Sequence, residues 1–291
     1  MKPWIEAMRL RTLPVSVAGV AAGTGCAAHH DGFALVPMTI CLFFAIIAQI
    51  ASNFANEYYD FKNGLDKKGR EGFRRGVTEG DISPDAMRRA TFLLLAIDAL
   101  LGCSLIYYGG WWLIAVGIAV AVFAIAYSAG PYPLSHHGLG DVAVVVFFGF
   151  VPVIFTEYVQ TRVLYLDITT ISTSLAVGLM AANVLIVNNY RDFSDDKAVG
   201  KHTTVVIFGR EKMSYVYLLN GLIAAACLVA AISGGPAATD IPLLGYLAFH
   251  VTLWRRLRSQ TGAELNKVLK LTAIALLCSA LYTSAVLFIW H

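Results

Sequence analysis

The 291-residue chain is 57% hydrophobic and 14% charged, with a formal net charge of +3. Soluble domains carry about 25% charged residues, so this composition excludes an ordinary soluble enzyme. Several long apolar runs indicate a polytopic membrane protein instead. We expect an all-α fold, a membrane helical bundle of about nine transmembrane helices in a single domain over residues 1–291, with membrane lipid around it and no nucleic-acid partner.

Nine apolar stretches are candidate spans, separated by loops rich in Gly, Pro and polar residues. The predicted spans are 13–29, 34–57, 90–108, 111–129, 139–159, 170–190, 213–233, 239–254 and 271–290. The chain starts with a polar, basic segment before the first run, which is too long for a signal peptide, so no cleavable signal is expected.

The positions of Lys and Arg predict the orientation. Of 22 such residues, all except Arg162 lie at the N-terminus or in the loops after the second, sixth and eighth spans. The positive-inside rule places these segments in the cytoplasm and the C-terminus outside, in the plasma or inner membrane of the cell. Arg255, Arg256 and Arg258 are interpreted as part of this charge pattern and as an anionic-lipid patch.

Two segments place the same polar pattern, Asn-x-Tyr-x-Asp, at the end of an apolar run. The first reads Asn56-Glu57-Tyr58-Tyr59-Asp60 and continues to Asp66. The second reads Asn188-Asn189-Tyr190-Arg191-Asp192 and continues to Asp195 and Asp196. Carboxylates at a membrane edge need a cation or a water-filled cavity beside them. The predicted topology puts both segments, and hence the active site, on the cytoplasmic face.

Helical continuation of the second span would align Asn53, Asn56 and Asp60 on one face, because residues three or four apart are neighbours. The second motif repeats this with Asn188, Asp192 and Asp196. Ligands that are all oxygen select hard cations, and Mg²⁺ is the most plausible. The predicted metal ligands are Asn56, Glu57, Asp60, Asp66, Asn188, Asp192 and Asp196. Two such facing clusters would hold a diphosphate.

Basic and aromatic residues near the motifs complete the candidate site. Arg74, Arg75, Arg191 and Lys201 are the cations nearest in sequence to the carboxylates, and Arg binds phosphate bidentately. Tyr127, Tyr132 and Asp141 belong to the same membrane face. His136 and His137 are weaker candidates. Asp98, inside the third span, is either a hydrogen-bonded buried carboxyl or faces a cavity.

These motifs resemble the aspartate-rich regions of the UbiA superfamily of membrane prenyltransferases. The segments that carry the resemblance are Trp4 with Arg9-Leu10-Arg11-Thr12-Leu13-Pro14, Asn53 to Asp66 with Arg75-Gly76-Val77 and Gly80 to Pro84, Tyr127 to Leu134 with Gly138 to Asp141, and Asn188 to Asp196 through Thr203. The chain is most similar to the branch that prenylates 1,4-dihydroxy-2-naphthoate in menaquinone biosynthesis. Glu57 departs from the Asp usual in the family, and Asp141 stands where that branch commonly has Glu.

The resemblance implies a bundle around a central cavity, in which Mg²⁺ holds the diphosphate of a polyprenyl diphosphate and an aromatic carbon attacks the allylic cation. The product would be demethylmenaquinol, with loss of CO₂ and diphosphate. The candidate catalytic residues are Asp60, Asp192, Arg191, Lys201, Tyr127 and Asp141. The candidate substrate-binding residues are Asn53, Arg74, Arg75, Tyr132, Asn189 and Lys201.

Two alternatives stay open at this point. A prenyltransferase for another acceptor, such as 4-hydroxybenzoate or homogentisate, would share fold and metals. An ion-coupled transporter would need carboxylates near the bilayer midplane and internally repeated spans.

Overall fold

The computed structural model describes residues 2–66, 68, 72, 74–233 and 235–290, and this part of the chain is almost entirely helical. The all-α prediction is therefore confirmed. The helices are α1 (Lys2–Met8), α2 (Pro14–His29), α3 (Leu35–Lys62), α4 (Gly76–Glu79), α5 (Pro84–Gly109), α6 (Leu113–Ala126), α7 (Gly140–Val144), α8 (Val151–Thr161), α9 (Ile168–Arg191), α10 (Phe193–Ala198), α11 (Thr204–Phe208), α12 (Arg210–Ala231), α13 (Ile241–Ser259) and α14 (Leu265–Ile289). A π-helical segment, Val145–Phe150, joins α7 to α8 in one continuous rod.

Each of the nine predicted spans overlaps a long helix of the described chain, but the number of membrane crossings is not confirmed. Six helical rods are long and apolar enough to cross a membrane. Of the other three, α2 and α6 have 16 and 14 residues, short of the about 20 that a hydrocarbon core requires. The third, α13, ends in a basic turn that contains Arg256 and Arg258.

Local capping explains why several helices begin or end away from the predicted boundaries. The Ser83 hydroxyl accepts the backbone N–H of Ala86 and Pro84 follows at the first helical position, so α5 begins six residues before the predicted span. Asp167 caps α9 in the same way through the N–H of Thr170. Helix α3 continues at its C-terminal end through the first motif to Lys62. Asn56 and Asp60 therefore lie one turn apart on one helix.

Helix α9 lies at the centre of the bundle. It is buried along most of its length and packs against α12, α14, α2 and the π-helical segment. Helix α2 in turn packs closely against α14 and α8. The second motif therefore sits at the end of a rigid, buried helix.

Glycines let the central helices approach at backbone distance, as small residues do in membrane bundles. A Cβ on Gly149, in the π-helical segment, would lie 2.5 Å from the Ser174 carbonyl oxygen and 2.6 Å from the Gly178 Cα. A Cβ on Gly178 would lie 2.8 Å from the Val145 carbonyl oxygen. Both close contacts are with backbone atoms, which cannot rotate away.

Gly149→Ala is expected to destabilise the protein by roughly 1–3 kcal/mol, because overpacking at this crossing forces helix axes apart. Gly245→Ala is the matched control: it adds the same methyl on exposed α13, where a Cβ meets no atom within 4 Å, and alanine favours helix by about 0.8–1 kcal/mol. Thermal unfolding in detergent micelles compares them. Equal midpoints for the two variants would contradict the proposed packing.

Candidate active site

The first motif is organised by the side chain of Asn56. Its Nδ2 donates to Asp60 Oδ2 at 3.1 Å and to the Ser128 hydroxyl at 2.8 Å. Its Oδ1 accepts from Arg9 Nη2 at 2.7 Å and from Arg75 Nη2 at 3.0 Å. Four segments that are distant in sequence therefore meet at one amide.

Asp60 is a buried carboxylate, 1% exposed, with basic groups on several sides. Lys201 Nζ lies 3.4 Å and Arg75 Nη2 3.7 Å from Oδ2, while His136 Nε2 lies 3.5 Å from Oδ1. These groups offset the cost of burying the charge. The separations exceed those of tight charge-assisted hydrogen bonds, about 2.7–2.9 Å, so this arrangement of charges leaves Asp60 able to exchange partners.

Arg9 reaches the site from an unusual backbone conformation. Its φ is +52°, in the left-handed region that non-glycine residues rarely adopt. Such conformations persist where the surroundings hold them and are common at functional sites. Here the turn after α1 directs the guanidinium towards Asn56.

The second motif is held by Arg191. Its guanidinium donates two parallel hydrogen bonds to the Asp192 carboxylate, at 2.7 and 2.8 Å, and a third to Asn188 Oδ1 at 2.8 Å. It also donates to Asn266 on α14 at 2.8 Å. Arg191 is 2% exposed, so it orders the end of α9 rather than facing open space.

The two motifs converge on one cleft, which holds about 320 Å³ of empty space including its open mouth. Its walls are formed by Asp60, Leu65, Asp66, Asp195, Asp196, Val199 and Lys201. Four carboxylates from α3, the following loop and α10 thus share this cleft with one lysine. Arg75 Nε reaches Asp66 Oδ2 at 3.3 Å and joins the cleft to the Asn56 cluster.

A larger cavity continues from the cleft into the bundle. It holds about 980 Å³ of empty space, including its mouth, and is polar at the end near the motifs. Its lining includes Arg9, Asn53, Asn56, Arg75, Tyr127, Asn188, Asn189, Asp192, Asp196 and Lys201. An apolar cavity with about 970 Å³ of empty space, its opening included, shares Gln49, Ser52, Phe123 and Phe148 with it and extends between α2, α3, α6 and α8. The result is a charged head region joined to an apolar extension.

The donor set of the cleft suits a hard divalent cation. Asp60, Asp66, Asp195 and Asp196 offer carboxylate oxygens, the ligands that Mg²⁺ prefers. Among the residues described, no three His, Cys, Asp or Glu side chains already stand at metal-binding separations. The basic groups around Asp60 balance the same negative charge that a bound cation would balance.

Some predicted residues lie elsewhere. The predicted ligand Glu57 is fully buried, and its Oε1 accepts the backbone N–H of Val77 at 3.0 Å, beside the cleft rather than in its wall. Arg74 pairs with Asp81 at 2.6 Å and Glu6 at 3.6 Å. Tyr132 is exposed and stacks on His137.

Two further predicted residues make supporting contacts between elements of the fold. Asn53 lines it and donates to the Met8 carbonyl at 3.1 Å, which anchors the end of α1. Asp141 accepts a hydrogen bond from the Thr204 hydroxyl, which connects the start of α7 to α11.

Sequence reasoning did not assign a site role to Arg9, Ser128 or Asp195, and it ranked His136 low. Arg9 and Asp195 fall within segments that carried the family resemblance, so a signal existed for both. Ser128 also lies in such a segment, Tyr127 to Leu134, but its contact with Asn56 depends on tertiary packing between positions 72 residues apart. His136 is brought in by the loop before α7, where its carbonyl accepts the N–H of His202 at 3.1 Å.

The fold and site define a class: a helical membrane bundle with a carboxylate-lined cleft leading to an apolar cavity. Comparison with known proteins agrees. The model of the UbiA prenyltransferase family matches residues 16–277, and the chain belongs to this family.

Curated relatives extend over nearly the whole chain. The 1,4-dihydroxy-2-naphthoate octaprenyltransferase of Haemophilus influenzae is 34% identical, covering 99% of this chain and 96% of the relative. The enzyme of the same name from Mycobacterium tuberculosis is 34% identical, covering 98% and 96%. The structure of a UbiA homologue from Archaeoglobus fulgidus bound to GPP and Mg²⁺ superposes with a TM-score of 0.71 at 16% identity, covering 98% of this chain and 99% of that one.

Glu57→Gln tests whether Glu57 serves the metal as well as the loop. The amide keeps an oxygen for the Val77 N–H but removes the negative charge. If Glu57 is a metal ligand, the Gln variant should transfer the prenyl group about 10- to 1000-fold more slowly than the parent. This fall corresponds to roughly 1.4–4 kcal/mol. Rate against Mg²⁺ concentration is measured for the parent, Glu57→Gln and the charge-retaining Glu57→Asp. Superimposable parent and Gln curves would limit Glu57 to anchoring the loop.

Proposed function

We propose that the protein transfers a polyprenyl group from polyprenyl diphosphate to 1,4-dihydroxy-2-naphthoate. The observation that carries this proposal is the junction of a carboxylate- and cation-lined cleft with a long apolar cavity. A diphosphate ester of an isoprenoid alcohol has this same division, with charge at one end and hydrocarbon at the other. The names of the full-length relatives support the acceptor.

The donor diphosphate binds at the cleft end of the cavity. Asp60, Asp66, Asp195 and Asp196 would hold Mg²⁺, and Asn56, Asn188 and Asp192 stand close by. When bound, the metal supplies Lewis-acid stabilisation of the charge that develops on the leaving diphosphate.

The chain's own cations act on the same leaving group. Lys201, Arg9 and Arg75 border the polar cavity and present fixed positive charge before reaction. Such preorganised charge stabilises the transition state, in which the allylic C–O bond breaks and its electron pair leaves with the diphosphate.

The acceptor lies where the polar and apolar cavities meet. The ring carbon that bears the carboxylate attacks the allylic cation and forms the new C–C bond. The electron pair of the bond to the carboxylate then returns to the ring as CO₂ departs. Tyr127 lines the polar cavity beside this junction and offers a hydroxyl for orienting the ring. The apolar walls keep water from the cation.

In this proposal the cleft faces the cytoplasm, and the nine spans predicted from the sequence all cross the membrane. The cleft is formed by the basic segments after α3 and α9, and the basic N-terminal segment joins it through Arg9. The positive-inside rule assigns these segments to the cytoplasm. Lys67 and Arg70, in the basic segment after α3, lie outside the described residues. The cleft lies at one end of the bundle, unlike the midplane site of an ion-coupled transporter.

Purified protein in nanodiscs tests the function directly. It is incubated with farnesyl diphosphate and 1,4-dihydroxy-2-naphthoate, 4-hydroxybenzoate or homogentisate, with Mg²⁺ or with EDTA. We expect prenylated product and CO₂ only with the naphthoate and Mg²⁺, because the all-oxygen donor set requires a hard cation to hold diphosphate.

The Asp60→Ala variant should be inactive, since it removes a cleft carboxylate. Arg256→Ala serves as the control, because Arg256 lies outside the lining of the cleft and cavities and should retain parental activity. Transfer in EDTA would overturn the metal-dependent mechanism, and preference for another acceptor would overturn the naphthoate assignment.

A further inference from the structure

Asp98 is a carboxyl without a visible purpose in the site described above. It lies in the middle of α5, is 5% exposed, and its Oδ1 is buried without a hydrogen-bond partner. Within the described part of the chain it forms no ion pair. An isolated polar group in an apolar interior is destabilising unless it is hydrogen-bonded, and carboxyls inside membrane helices mark functional sites by default.

Asp98 faces a third cavity, separate from the cleft. This cavity holds about 690 Å³ of empty space between α3, α5 and α6. Among the described residues that line it, Asp98 is the single Asp, Glu, Lys or Arg; the others include Phe44, Leu95, Ile106 and Leu113. The sequence left open whether Asp98 is hydrogen-bonded or faces a cavity, and the structure favours the cavity.

The third cavity connects two environments. It shares Phe44, Ala48, Gly102 and Leu113 with the apolar cavity assigned above to the isoprenoid chain. On its other side, Ile114 and Ile118 line it and are also 43% and 58% exposed on the apolar outer surface. A hydrophobic molecule could therefore pass between the interior and the lipid here.

We propose that this cavity binds the prenylated product, a lipid quinol or its quinone, with a ring hydroxyl or carbonyl hydrogen-bonded to Asp98. The inference rests on the proposed function, which supplies this lipid. A carboxyl in its neutral form both donates and accepts one such hydrogen bond. An anionic occupant is disfavoured, because the described lining residues include no cation: the diphosphate donor and phospholipid headgroups do not fit this chemistry. A metal is disfavoured too, because Asp98 is the one carboxylate among those lining residues.

Cys103 reports occupancy of the cavity. It lines the cavity and is an exposed free thiol, whereas Cys278 is an exposed free thiol on α14, away from it. Full-length protein in detergent is labelled with N-ethylmaleimide, and the rate at each cysteine is followed by mass spectrometry. We expect a naphthoquinone with a short isoprenoid chain to slow labelling of Cys103 several-fold and to leave Cys278 unchanged. The hydrocarbon squalene, which lacks the hydrogen-bonding head, should protect Cys103 much less.

Three variants distinguish recognition of the quinone ring by Asp98 from filling of the cavity by hydrocarbon alone. Asp98→Asn keeps a donor and an acceptor and should retain protection by the quinone. Asp98→Leu removes both and should lose it. Ala121→Phe, at a position that lines this cavity and not the isoprenoid cavity, should block it and abolish protection while the protein stays folded.

Equal protection of Cys103 in the parent and in Asp98→Leu, or none in the parent, would overturn the proposal. The prenyl-transfer assay is independent of this labelling. A protein that transfers prenyl groups without protection disproves only the lipid site. Protection without transfer disproves the proposed function and leaves a quinone-binding cavity.

Discussion

The structure depends on the burial of Asp60 at the end of α3. A carboxylate at 1% exposure is stable only with compensating charge. Lys201 and Arg75 provide it from two different loops, and His136 approaches the other carboxylate oxygen from a third. The need to balance the charge of Asp60 therefore fixes the positions of those loops. The same requirement explains why Lys201 and Arg75 lie among the carboxylates of the cleft, and why its charge can be redistributed when a cation and an anion enter together.

The rigid part of the molecule sits directly beneath this charged end. Helix α9 is buried along most of its length and holds Asn188 and Asp192 through Arg191. The glycine contacts of the π-helical segment keep the surrounding helices close to α9. Preorganisation of this kind matters for an ionising reaction, because charge that is already in place needs no rearrangement in the transition state. The apolar cavities, by contrast, are lined mainly by hydrocarbon side chains, with Asp98 as the charged-type exception among the described residues.

Sequence anticipated the helices, because apolar length predicts them, and the meeting of the two motifs, because the distribution of Lys and Arg predicts that both lie on one face. It could not give the direction of side chains that tertiary contacts decide. Glu57 adjoins Asn56 in sequence, but its carboxylate accepts the Val77 N–H. Arg191 adjoins Asp192, and its guanidinium is bound to that carboxylate. Arg9 and Ser128 reach Asn56 from distant segments. The helix α1 and the π-helical segment also escaped prediction, since neither has a distinctive periodicity.

The central claim is that the two motifs act as one site, and a double-mutant cycle tests it most directly. The affinity for inorganic diphosphate in the presence of Mg²⁺ is measured by calorimetry for the parent, Asp60→Asn, Asp196→Asn and the double variant. Residues that share bound ions are coupled, typically by about 0.5–3 kcal/mol. The account predicts that the double variant binds no more weakly than the weaker single variant. Losses that add to within about 0.5 kcal/mol would show two independent sites and contradict it.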